Sequence, residues 1–320
     1  MKSAFFLFPI LLGSCAGIAG ELRVGIIGCD TSHVPEFTKL LNDPQSKGHV
    51  PGAKVIAAFK GGSKDIESSW SRVEGYTKTL QEKYEVRIYE SIADMCADVD
   101  AVLLESLDGR PHLEQAKPVI KAHKPLFIDK PMAGSLHDVI EIFDLAKRDK
   151  VPVFSSSALR FGKATRAAQN GSLAGRITYV EAYGPCELEA HHPDLFWYGI
   201  HGVEALYAIL GRGCESVQRG ATTEGRIEAT GNWSGGRVGI FREDKSFHGL
   251  ARGDKGQTEA VSFDGYEPLV EEIVKFFQTG IAPVKPEETI EMFAFMEAVD
   301  ESKRQGGKLV KISEVLKKKR

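Results

Sequence analysis

Six short apolar runs, at 22–27, 54–59, 86–89, 101–105, 126–129 and 151–155, alternate with segments of helical spacing at 34–41, 69–83, 92–97, 112–122 and 136–150. The runs are rich in β-branched residues and bounded by Gly, Pro, Asp or Lys, the pattern of strands buried on both faces. Strand and helix in strict alternation predict a doubly wound parallel sheet with helices on each side. After residue 157 the texture changes. Strand-like segments at 178–183, 216–220, 227–232, 236–242, 246–252 and 258–263 follow, interrupted once by a helical stretch at 200–210. Strands without intervening helices pair antiparallel. Helices at 269–279 and 287–305 close the chain, and Lys317-Lys318-Lys319-Arg320 reads as a solvated tail. The expectation is an α/β protein. A Rossmann domain spans 20–157, and an α/β domain built on a large, mostly antiparallel sheet spans 158–320.

The one long apolar stretch lies at the N-terminus, where Lys2 precedes an apolar run at 4–12 and the small residues Gly13 to Gly17. Charge, short apolar run and small residues make a signal peptide over 1–19, cleaved after Gly17-Ile18-Ala19 to leave Gly20, for a protein exported to a bacterial periplasm or beyond. Leu12-Gly13-Ser14-Cys15 also resembles a lipobox, so a lipoprotein anchored at Cys15 is the alternative. No internal stretch reaches the length that spans a bilayer. With 41 Lys+Arg against 44 Asp+Glu the chain has no basic field, and nucleic acid is not an expected partner. The five cysteines form no C-x-x-C pair, which excludes zinc ribbons and thioredoxin-type redox motifs. In an oxidising compartment Cys29, Cys96, Cys186 and Cys214 have the opportunity to pair.

The first strand runs into Gly28-Cys29-Asp30-Thr31-Ser32-His33. A dinucleotide fingerprint needs glycine at the tight turn, at the pyrophosphate and at the helix–strand contact. Here Gly28 fills the first position, Asp30 the second and His33 the third. A carboxylate against a pyrophosphate is repulsive, so Asp30 is expected to turn away or to bond N–H groups of its own turn. Thr31 and Ser32 are placed to cap the next helix, whose N-terminus favours an anion. Lys60 follows the second strand where an NAD site carries an acid, and it tilts the expectation towards the 2′-phosphate of NADP over NAD. A turn with a capped helix and no nucleotide is the plainer reading of the same residues.

Ile128-Asp129-Lys130-Pro131, together with Val24-Gly25-Ile26-Ile27-Gly28, resembles the Gfo/Idh/MocA oxidoreductases over nearly the whole chain after residue 19. The likeness is to an exported subgroup with a modified glycine-rich loop. The resemblance implies a Rossmann domain, a substrate domain on a large sheet, hydride transfer between nicotinamide and a sugar or polyol carbon, and association into homo-oligomers. It assigns Lys130 to the family's Glu-Lys-Pro lysine and His112 to its histidine before a helix. Arg160-Phe161 matches the lead into the substrate domain. His201 is similar to the family's catalytic histidine, which follows an aspartate by four residues; in this chain that place holds Trp197.

Oxidising a secondary alcohol needs a base for the hydroxyl proton and an acceptor for hydride. The catalytic candidates are Lys130, at a strand end where doubly wound folds bind ligands, and His201. Gly28, Asp30, Thr31, Ser32, His33, Lys60, Glu105, His112, Asp129 and Lys130 are the cofactor-side candidates. Arg160, His191, His192, Trp197, Tyr198 and His201 are the substrate-side candidates. The Glu187-Leu188-Glu189-Ala190-His191-His192 cluster matches no metal-ligand spacing and reads as a polar substrate loop, with no metal expected. Three functions fit: an NAD(P)-dependent oxidoreductase of a sugar, polyol or glycoside; a glycoside lyase or hydrolase that oxidises transiently with retained nucleotide; and a sugar-binding protein without nucleotide. The first is the expectation.

Overall fold

The computed structural model describes residues 20–318, so the expected signal segment, the Cys15 alternative and the last two residues lie outside the described part. The N-terminal half is a parallel sheet of β1 (Leu22–Ile27), β2 (Ala53–Phe59), β3 (Arg87–Tyr89), β4 (Ala101–Leu104), β5 (Leu126–Ile128) and β6 (Val153–Ser155). Their order is β3-β2-β1-β4-β5-β6, the doubly wound arrangement with its switch point between β1 and β4. Every residue of β4, β5 and β6 is buried, as parallel strands covered on both sides require. The connecting helices are α1 (His33–Asn42), α2 (Glu67–Trp70), α3 (Val73–Tyr84), α4 (Ile92–Asp98), α5 (His112–Lys121) and α6 (Leu136–Asp149).

The second sheet contains β7 (Ile177–Gly184), β8 (Cys214–Ala221), β9 (Ile227–Trp233), β10 (Arg237–Glu243), β11 (His248–Gly253), β12 (Gly256–Glu259) and β13 (Val310–Lys311). Its order is β12-β11-β7-β10-β9-β8-β13, antiparallel apart from the parallel pairing of β7 with β10. Helices α7 (Lys163–Gln169), α8 (Ile200–Leu210), α9 (Glu267–Thr279), α10 (Pro286–Arg304) and α11 (Ile312–Lys318) complete the fold. One apolar core joins the α4–α6 side of the parallel sheet to α8, α10 and the second sheet. The other core lies under α1 and α3 and takes in Leu269, Val270, Ile273 and Phe276 of α9. Thus α9, late in sequence, returns to the Rossmann sheet, and the two halves are locked by apolar packing on both faces.

Several elements differ from the sequence reading. The helix expected at 69–83 is two helices, because Ser69 is tied to the loop after β1 and the chain restarts at Val73. The strand expected at 258–263 is β12, which ends at Glu259; Ala260 still donates to the Gly249 carbonyl, and Ala260 and Val261 are buried. The expected solvated tail is in part α11, whose Ile312 and Val315 are buried while Lys317 and Lys318 form its last turn. Cys29, Cys96, Cys186 and Cys214 are all buried free thiols, so the pairing open to them is not made.

Candidate active site

The site begins where β1 ends. Gly28 has φ +90°, and a Cβ there would lie 2.5 Å from the Ser106 backbone, so only glycine permits the turn. The Asp30 carboxylate is buried and turned away from the helix terminus. It accepts from Ser69 Oγ at 2.6 Å and from the Leu107 N–H at 3.1 Å. Asp30 thereby fastens the turn to α2 and to the loop after β4, partners beyond the local ones expected. Ser32, the N-cap of α1, makes no side-chain bond, but Thr31 Oγ1 accepts from the His33 N–H and the Thr31 carbonyl from the Val34 N–H, so the start of the helix is capped from Thr31.

The ends of β4 and β5 carry three ionisable groups beside this turn. Glu105 is fully buried, and neither of its oxygens has a partner. Burial and the neighbouring Asp129 charge push its carboxyl well above the ordinary range. Asp129 Oδ2 lies 2.5 Å from His33 Nδ1. Burial opposes the charged form of Asp129, but its pairing with His33 and the nearby Lys130 outweigh it and hold the carboxyl low. Lys130 is buried, and desolvation lowers its ammonium pKa against the opposing pull of Asp129 and Glu105.

Across the cleft stands the second half. Tyr198 presents its ring to Lys130 Nζ at 5.2 Å, and His201, in the first turn of α8, shares a 2.7 Å hydrogen bond between Nδ1 and Ser157 Oγ. Burial, reinforced by the Lys130 charge, drives His201 well below the ordinary histidine pKa, so it is neutral. Gly202 lets α8 pack closely on β10 of its own sheet, since a Cβ there would lie 2.4 Å from the Phe241 ring. The cleft encloses about 250 Å³ and brings together Thr31, His33, Lys130, Trp197, Tyr198 and His201.

Other expected residues lie elsewhere. Lys60, expected near a 2′-phosphate, pairs with Glu74 at 3.1 Å on the surface. His112 bonds the Met132 and Ser106 carbonyls and pins two loops. Arg160, expected on the substrate side, is buried in ion pairs with Glu204 and Glu288. His191 and His192 both bond Glu189, and His192 also meets Asp108 at 3.1 Å, so this cluster ties the two halves rather than lining the cleft. Sequence reasoning missed Ser157, Ser68, Arg72 and Tyr266 on the cleft wall. Ser157, inside a serine run, and Arg72, inside a helical pattern, carry no motif; only the fold brings them in.

The turn fits the pyrophosphate of a dinucleotide. Thr31 and Ser32 of the turn line the cleft beside Ser68 and Arg72, and Gly28 lets the turn pack directly on Ser106. The enclosed space is below the roughly 300–1,000 Å³ of small-molecule pockets, so a whole dinucleotide would extend beyond it. Residues 22–157 match a family profile, GFO/IDH/MocA, described as an oxidoreductase family with an NAD-binding Rossmann fold. Solved structures share the fold at low identity. A probable dehydrogenase from Thermotoga maritima is 19% identical with a TM-score of 0.73, over 92% of this chain and 100% of that one. A myo-inositol dehydrogenase from Lactobacillus casei, solved with NAD(H) and myo-inositol, is 17% identical with a TM-score of 0.71, over 91% and 97%. A scyllo-inositol dehydrogenase from the same organism, with NAD(H) and scyllo-inositol, is 14% identical with a TM-score of 0.73, over 92% and 100%.

Proposed function

From the match of residues 22–157 to the Gfo/Idh/MocA profile, we propose that this chain is an NAD(P)-dependent oxidoreductase of that family and that it oxidises a secondary alcohol of a sugar, polyol or glycoside. The observation that carries this reading is the meeting of Lys130, neutral His201 and the Tyr198 ring in one interdomain cleft. Lys130 is placed to orient a substrate hydroxyl, and its burial lets it give up a proton more readily than an exposed lysine. His201 Nε2 is placed to bond a second hydroxyl, and Trp197 and Tyr198 to pack on the apolar face of a ring. Thr31 and Ser32 N–H groups, Ser68 and Arg72 would hold the pyrophosphate, and the bound cofactor supplies the hydride acceptor. The matched profile is that of an NAD-binding Rossmann fold, and NAD is the cofactor we propose.

Export with cleavage before Gly20, and homo-oligomer formation, belong to the same proposal. A chain threaded unfolded across a membrane must load its cofactor outside, where occupancy depends on tight retention. The test is to express the chain from Gly20 in a cytoplasm and measure NAD(H) and NADP(H) released on denaturation. Thermal shift with each nucleotide follows, then NAD⁺ reduction with a panel of inositols and sugars. The expected result is retained or tightly rebound NAD(H). A protein that carries none, and whose melting ignores millimolar nucleotide, would be the sugar-binding protein that Asp30 and His33 in the glycine positions also suit.

A further inference from the structure

We propose that His33, held by Asp129, is the acid–base residue of this cleft, so that the imidazole–carboxylate pair lacking at His201 is supplied by the opposite wall. The inference rests on the oxidoreductase reading. His201 has Trp197 where a carboxylate partner would stand four residues earlier, and its Nδ1 meets the hydroxyl of Ser157 instead. A hydroxyl orients an imidazole but brings no charge to stabilise an imidazolium, and the facing Lys130 opposes one.

His33 has what His201 lacks. Its Nδ1 is 2.5 Å from a carboxylate oxygen of Asp129. The ring is clamped between Phe37, stacked at 5.2 Å, and Tyr266, edge-on at 4.7 Å. It lines the cleft with Lys130 and His201, and its Nε2 has no bonding partner among the described residues. The groups facing the ring are Asp129, Glu105, Lys130, His201 and the Tyr266 hydroxyl. Glu105 lies behind Asp129 with both oxygens orphaned and is held protonated by burial, which leaves Asp129 as the ionised member of the pair. When Nδ1 donates to Asp129, the other ring nitrogen, Nε2, is left to accept a proton from the substrate space.

In the step, the substrate O–H bond breaks and its proton goes to His33 Nε2. Bound NAD⁺ would accept the carbinol hydrogen with its electron pair as the C–H bond breaks and the carbonyl forms. The new imidazolium rests against the Asp129 carboxylate, so charge is created where its partner already lies. His33 is the catalytic residue and Asp129 the positioning residue.

The test combines a spectrum with turnover, on the chain from Gly20. Histidine nitrogen-15 NMR is expected to show His33 neutral with its proton on Nδ1, and Asp129→Asn to abolish that tautomer. His33→Gln and Asp129→Asn are each expected to lower kcat for NAD⁺ reduction by about a hundredfold or more. His201→Gln should act mainly on KM. His33, Glu105 and Asp129 place donor atoms within 4.8 Å of one another, so metal analysis of the purified protein is the third arm. A stoichiometric cation there would make His33 a ligand and overturn the proposal. So would a wild-type spectrum with the proton on Nε2, or a His33→Gln enzyme of undiminished kcat. A wild type that neither binds nor reduces NAD⁺ removes the oxidoreductase reading and the role of His33 with it.

Discussion

Burial decides what Lys130 does chemically. An exposed lysine keeps its proton near neutral pH, but this one is desolvated, with the ring of Tyr198 over it and two carboxyl groups behind it. Lys130→Met keeps the bulk and removes the ammonium. We predict at least a hundredfold loss of kcat, about the scale of misplacing the reacting hydroxyl, read from steady-state NAD⁺ reduction. Near-normal turnover in that variant would take Lys130 out of the mechanism. The same burial explains Asp30. A carboxylate at the second glycine position is tolerable because its two oxygens are spent on Ser69 and the Leu107 N–H.

At the scale of the element, α2 is a single turn whose place depends on one hydroxyl. Ser69 Oγ donates to Asp30 and accepts from the Ser63 N–H at 2.8 Å, in full burial. Ser69→Ala strips a buried carboxylate and a backbone N–H of partners together, which costs about 1–3 kcal/mol per orphaned group. The expected outcome is a lower urea midpoint with an unchanged slope, and faster amide exchange in residues 63–70. Because α2 also brings Ser68 to the cleft, nucleotide binding should weaken in the same variant. Wild-type midpoint and exchange rates would show that α2 is held by something else.

The whole molecule is two sheets joined by a polar latch as well as by apolar cores. His192 bridges Asp108 of the first half and Glu189 of the second, with its side chain fully buried. Burial opposes the imidazolium, yet Asp108 and Glu189 raise the His192 pKa above its ordinary value. For Asp108 burial again acts upward, but His192 and Arg110 hold it far below the carboxylate range. A raised histidine gives stability that is complete below its unfolded pKa of about 6.5 and is lost as pH rises through the folded value. The depressed aspartate gives stability that is complete above about pH 4 and is lost only in stronger acid. The latch is therefore strongest between about pH 4 and 6.5. His192→Gln should cost about 3 kcal/mol at pH 6, and it should flatten the decline in Tm between pH 6 and pH 9. A variant whose Tm follows pH as steeply as the wild type would sink this account.

The amino-acid sequence by itself determined the parallel sheet, the second sheet and most helices, because apolar spacing is a local property that each segment carries whole. It also marked Gly28, Lys130 and His201, whose residue types and strand-end or helix-start positions are legible one at a time. Partnership is not local. Asp129 meets His33 across 96 residues, Asp30 meets Ser69 across 39, and Arg160 meets Glu204 across 44. Arg160 and His192 read as substrate groups because a charged side chain looks the same in sequence whether it faces a ligand or a buried counter-ion. Which of the two it meets is decided when separate elements dock and desolvate it, and only the tertiary structure contains that event.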